Sequence, residues 1–155
     1  AGVGLLSRYP ILTQEYWPHR RGVPVQGNLR AEVSVGGTRV AVYIVHPPAE
    51  DAMLPGAAAA AVDAVLSRAT VERGPVILVG DLYPPEGSEQ EGRLAARFVD
   101  TRQETLGRPP AEGRAGRILH STHLQGVWLR TEPGGDGAPA PAWASLILPL
   151  PEGEA

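Results

Sequence analysis

Apolar and polar residues alternate with a period of two along Asn28 to Val35. Leu29, Ala31, Val33 and Val35 fall on one side; Arg30, Glu32 and Ser34 fall on the other. That is the pattern of a β-strand with one face in a core. A second strand pattern follows at Thr38 to His46, where Val40-Ala-Val-Tyr-Ile-Val45 is apolar throughout, as expected of a strand inside a sheet. Gly36-Gly37 between them predicts a tight hairpin, because both central residues of a type I′ turn need positive φ. A third run, Pro75 to Val79, is apolar and largely β-branched; Gly80 closes it and Asp81 stands at its C-terminal end. Between the second and third strands the period becomes helical. Met53, Leu54, Ala58, Ala61, Val62, Val65 and Leu66 recur on one side of the stretch from Asp51 to Arg73. Pro55 is tolerable only in a first turn, which starts the regular helix near Leu54, and Gly74 is placed to end it. Strand, helix, strand is a crossover, and it predicts parallel pairing of 40–46 with 75–80. His46 and Asp81 then lie at the same edge of one sheet.

The flanks read less sharply. Gly2 to Ile11 has the pattern of a short apolar strand broken at Pro10, with an irregular or edge segment continuing to Trp17. Ser88 is placed to cap a helix over Glu89 to Val99, with Leu94, Ala95 and Phe98 on its buried side. Residues 101–117, rich in Arg, Gly, Pro and Glu, read as a surface loop. Gly126 to Thr131 and Trp143 to Leu150 are two further strand patterns, and Trp128 and Trp143 are expected in the core. The elements sum to an α+β protein.

Composition adds limits. A chain of 155 residues suits one domain and hardly two, and no apolar run reaches the length of a membrane-spanning helix. The net charge of −3 does not indicate a nucleic-acid binder, although all 14 cationic residues are Arg. Cysteine is absent, which excludes disulfides, thiolate nucleophiles and Cys-based zinc sites. Ala1 opens directly on a strand pattern, so the chain reads as a piece of a longer one.

Candidate chemistry follows from placement. A carboxylate released from a buried strand into a loop, as Asp81 is, serves as metal ligand or catalytic acid, or else caps the turn that Pro84 and Pro85 suit. His19-Arg20-Arg21 is a basic turn, either phosphate-contacting or simply solvated. His120-Ser-Thr-His123 has a spacing that could hold a metal on a helix, but no zincin-type Glu accompanies it. Glu86, Glu89 and Glu91 favour a helix N-terminus. Neither a Walker-type phosphate loop nor a Gly-x-Ser-x-Gly elbow occurs.

Four stretches in order resemble the endonuclease/exonuclease/phosphatase superfamily. Gly2-Val-Gly-Leu-Leu-Ser-Arg-Tyr-Pro-Ile11 is similar to "G-x-A-I-L-S-R-Y-P-I", and Val42-Tyr-Ile-Val-His46 to "v-x-N-x-H-L". Val76-Ile-Leu-Val-Gly-Asp81-Leu-Tyr83 followed by Ser88 is similar to "v-i-l-x-G-D-F-N-x-x-P-x-S", and Phe98-Val-Asp100-Thr to "l-x-D-t". The resemblance covers the later part of such a domain. It implies part of a two-sheet β-sandwich flanked by helices, the four-layer α/β/β/α deoxyribonuclease I-like fold, with the N-terminal half of the family domain supplied by the same parent chain.

The implied reaction is hydrolysis of a phosphate ester with Mg²⁺ or Mn²⁺, or a binding role without cofactor if the chemistry is lost. By the same resemblance His46 and Asp81 are the catalytic positions, with Asp81 also the metal ligand. Tyr83 stands where "G-D-x-N" has Asn, and His123-Leu-Gln125 lies where the family has "R-I-D-Y-I-x-V", so Tyr83, His123 and Gln125 are the substrate-side positions. Ala138 and Pro139 occupy the Asp and His of the last motif, "S-D-H-x-P-V", and neither can bind a metal or accept a proton. These losses imply a catalytically degenerate member; the alternative is an enzyme whose missing groups come from the parent chain. A membrane association enters only through sequence upstream of residue 1. Half a sandwich is also expected to expose apolar sheet surface.

Overall fold

The structure, a computed structural model, describes residues 3–18, 27–48, 56–82, 84, 87–107, 116–132 and 141–149. The alternating stretch and its apolar neighbour form β2 (Gly27–Val35) and β3 (Thr38–Val45), antiparallel, with Val35 opposite Thr38. Gly36 and Gly37 join them at φ 57° and 86°, the two left-handed positions that the hairpin requires. The apolar run after the helix is β4 (Val76–Gly80), parallel to β3 with Val45 beside Gly80. The crossover helix α1 runs Ala57–Ala69 and ends on Thr70, whose N–H reaches the Leu66 carbonyl. Gly74 therefore does not end the helix. The Ala-rich run stops where its apolar face does, at Ala69, and residues 71–75 lead into β4. The expected start near Leu54 lies outside the described residues.

Three further expectations change. Residues 3–10 form no strand: the strand is β1 (Ile11–Pro18), an edge strand antiparallel to β2. The stretch 3–10 has no strand to ladder with among the described residues, and Val3 and Leu5 instead share a cleft with Leu29 and Ala31. The helix α2 (Glu89–Arg97) is capped as expected by Ser88, whose Oγ accepts from the Glu91 N–H. Ala95, however, is exposed on it, and Leu94 is the residue that α2 buries. The supposed loop 101–117 holds two elements besides its undescribed middle. These are the helix α3 (Thr101–Leu106), which follows the two-residue strand β5 (Val99–Asp100), and β6 (Arg117–His120). The final strands, β7 (Gln125–Thr131) and β8 (Ala142–Ile147), pair only with each other.

The main sheet has the order β1-β2-β3-β4-β6-β5, and only β3 and β4 are parallel. One face, through Ala41, Tyr43, Val45, Val76, Leu78 and Leu119, packs on Val62, Val65, Leu66 and Ala69 of α1 and on Leu94 and Phe98. The other face also carries apolar residues, Val42, Ile44, Ile77 and Val79, which are only partly buried. Trp128 and Trp143 are not core residues: they are 49% and 45% exposed. Cross-strand pairing puts Trp128 with Ser145 and Trp143 with Arg130, the side of the ribbon turned from the rest of the chain. Among the described residues no helix is long and apolar enough to cross a membrane.

A polar network ties the segment that follows α1 to the sheet. Arg30 Nε donates to Glu72 Oε1 at 2.7 Å and the Tyr43 hydroxyl donates to the same oxygen at 2.8 Å. Burial, then the bond to Glu72, pushes the Tyr43 phenol up to about 12. Burial alone would raise the Glu72 carboxyl, but the bonds from Arg30 and Tyr43 outweigh it and hold the group below 4.5. A depressed carboxyl stabilises the fold above its unfolded value and stops doing so as pH falls through its folded value. Glu72→Gln is therefore expected to lower stability by about 1 kcal/mol at neutral pH. The gap to the wild type should close on acidification below 4.5, as measured by urea denaturation across pH. A gap independent of pH would show that the network contributes by packing alone.

Candidate functional site

Parallel pairing of β3 and β4 releases both strands at one rim. His46 follows β3 and Asp81 follows β4, and His46 Nδ1 lies 3.3 Å from Asp81 Oδ2, with both side chains about two-fifths exposed. The backbone sets this distance. The Asp81 N–H donates to the Val45 carbonyl at 3.1 Å, and Gly80 turns through φ 133° hard against that carbonyl. The approach leaves no room for a β-carbon, which is why glycine stands there.

Behind Asp81 sits a support that the sequence reading missed. Arg117, at the start of β6, donates from Nη1 to the Leu82 carbonyl at 2.9 Å and from Nε to Asp100 Oδ2 at 2.9 Å. Asp100 in turn caps α3, accepting from the Arg102 N–H at 2.9 Å. The residue after Asp81 is thus held by a nearly buried ion pair. The pattern Asp100-Thr-Arg-Gln103 has the spacing of a capping box and was the one sequence signal for this helix.

The structure brings together His46 and Asp81 and separates His120, His123 and Gln125 from them. Since β6 runs antiparallel to β4, with Arg117 beside Gly80 and His120 beside Ile77, the chain after His120 lies at the far end of the sheet. Ser121 hydrogen-bonds both the carbonyl and the N–H of Val76, at the opposite end of β4 from Asp81. His123 and Gln125, expected on the substrate side, follow that turn. They are therefore displaced from Asp81 by the length of β4, roughly 15 Å. The physical reason is that 117–120 is a strand of the main sheet and not part of a loop. His120 is no metal ligand either: it is fully buried, with Nε2 2.8 Å from Glu104 Oε2 and Nδ1 3.0 Å from the Ser121 carbonyl. Glu104 also accepts from the Gly126 N–H at 2.8 Å, so this group fastens β7 to α3. Tyr83, Ala138, Pro139 and the basic turn at His19-Arg20-Arg21 lie outside the described residues.

A hard divalent cation takes about six oxygen ligands, with water and substrate completing a set begun by carboxylates. The rim offers the Asp81 carboxylate, already in contact with His46. Among the described residues no group of three His, Asp or Glu is placed to hold a metal ion. Asp81 could be one ligand of such a site, but the described residues do not form the site by themselves.

No protein-family model and no curated protein matches the sequence. Solved structures do. The chain is similar to an endonuclease/exonuclease/phosphatase family protein from Leptotrichia buccalis C-1013-b, with a TM-score of 0.62 and 12% identity over 93% of this chain and 63% of that one. It is similar to an endonuclease/exonuclease/phosphatase from Beutenbergia cavernae DSM 12333, with a TM-score of 0.64 and 19% identity over 92% of this chain and 46% of that one. A mannosyl-6-phosphatase from Bacteroides thetaiotaomicron VPI-5482 aligns with a TM-score of 0.56 and 12% identity over 90% of this chain and 67% of that one. The chain therefore spans between about half and two thirds of the length of these structures. With β3 and β4 delivering His46 and Asp81 to one rim, the described residues carry the deoxyribonuclease I-like fold of the endonuclease/exonuclease/phosphatase proteins.

Proposed function

We propose that this domain is a catalytically degenerate member of its fold group, a binding or scaffold unit that keeps a remnant of a phosphate-ester hydrolysis site. The observation that carries this reading is the His46–Asp81 pair, a base and a carboxylate in contact at an exposed rim without the further ligands that hydrolysis requires among the described residues. In-line attack on a phosphate needs an activated water and concentrated positive charge on the developing oxyanion. An imidazole–carboxylate pair can act as a general base toward water, but it does not by itself concentrate positive charge on the developing oxyanion. The resemblance supports the same reading: Ala138 and Pro139 stand where its last motif has Asp-His, and Gln125 stands where "R-I-D-Y" has Asp.

The second reading is an active metal-dependent phosphodiesterase or phosphatase. It is favoured by the length of the related structures that this chain leaves unmatched, where the missing groups would reside. Assay of the chain, and of any longer protein that contains it, on bis-p-nitrophenyl phosphate with Mg²⁺ or Mn²⁺ separates the two. Turnover at background is expected. Metal-dependent turnover that Asp81→Ala abolishes would replace the first reading with the second.

A further inference from the structure

We propose that a second site, at the opposite end of the sheet from Asp81, binds a small inorganic oxyanion such as phosphate. His123, displaced from the rim, lines a cleft of about 80 Å³ with Thr70, Glu72, Arg97, Ser121 and Thr122, floored by Val76 and Phe98. That is the volume of two or three waters, enough for one four-oxygen ion.

Arg97 and His123 both line this cleft. Arg97, in the last turn of α2, has no ion-pair partner among the described residues. His123 is oriented by Ser121, whose Oγ lies 3.3 Å from Nδ1 and accepts the Val76 N–H at 3.0 Å. An imidazole and a guanidinium lining one small cleft match an oxyanion, and charge-assisted bonds of this kind are the strong ones. Glu72 also lines the cleft, but its charge is met by Arg30 at 2.7 Å and by the Tyr43 hydroxyl at 2.8 Å.

The test is an NMR titration of the chain with inorganic phosphate, following the imidazole signals of its histidines. Saturable shifts are expected at His123 and not at His46. Arg97→Gln should weaken the apparent affinity about tenfold, the loss of one charge-assisted hydrogen bond. If that variant does not fold, His123→Asn read by calorimetry carries the same expectation. The proposal is overturned by non-saturating or equal shifts at all histidines, by shifts confined to His46, or by unchanged affinity in both variants. It does not rest on the rim at Asp81: a phosphate response at His46 alone would defeat this site while supporting a ligand at the other.

Discussion

Gly80→Ala is expected to cost about 3–5 kcal/mol and to part Asp81 from His46. Two penalties coincide at this position. The backbone sits at φ 133°, where an L side chain is strained, and the new β-carbon falls on the carbonyl and backbone of Val45. Those atoms belong to the middle of a six-stranded sheet and cannot swing aside as a side chain would. The same Val45 carbonyl accepts the Asp81 N–H, so the collision pushes on the bond that places the carboxylate. Urea denaturation would read the stability loss, and the imidazole signal of His46 would read the separation. An alanine variant with an unchanged midpoint would mean that the close approach of β4 to β3 is not needed for the rim.

Arg117→Met should cost about 3 kcal/mol, because it strands Asp100, whose side chain is 7% exposed, without its counter-ion. The effect should exceed that of any single surface ion pair in the molecule, such as Arg39–Glu32, where the arginine is 73% exposed. A double-mutant cycle isolates the pair. Asp100→Asn keeps a cap for α3 and removes the charge, so Arg117→Met should cost much less in that background, with a coupling above about 1 kcal/mol. Additive losses would assign the role of Arg117 to its bond with the Leu82 carbonyl.

The parts of the fold legible in sequence are those fixed by neighbours along the chain. The β2–β3 hairpin follows from alternation plus Gly36-Gly37, and the crossover from a change of period between two apolar runs. Together they place His46 and Asp81 at the same edge of one sheet, because parallel pairing releases both strands at one rim. What stayed hidden depends on distant partners. Arg117–His120 is a short strand in a polar context, and it is a strand only because β4 and β5 flank it. Without that strand, nothing in the sequence shows that His123 and Gln125 lie at the opposite end of β4 from Asp81. Trp128 and Trp143 were assigned to the core by size and apolar character. A two-stranded ribbon has two faces, however, and sequence does not say which one meets the rest of the molecule.

The two ends of β4 are built differently, and this bears on how such a domain can change over time. The side chains of His46 and Asp81 are about two-fifths exposed at the rim, so a lineage can exchange them one at a time with little threat to folding. At the other end, Ser121 closes the backbone bonds of Val76, and the neighbouring His120 holds Glu104 of α3, which accepts the Gly126 N–H of β7. Substitution is thus cheap at the exposed rim and dear where the scaffold is knotted together, so the rim's side chains can be exchanged in descendants that still fold as their ancestors did.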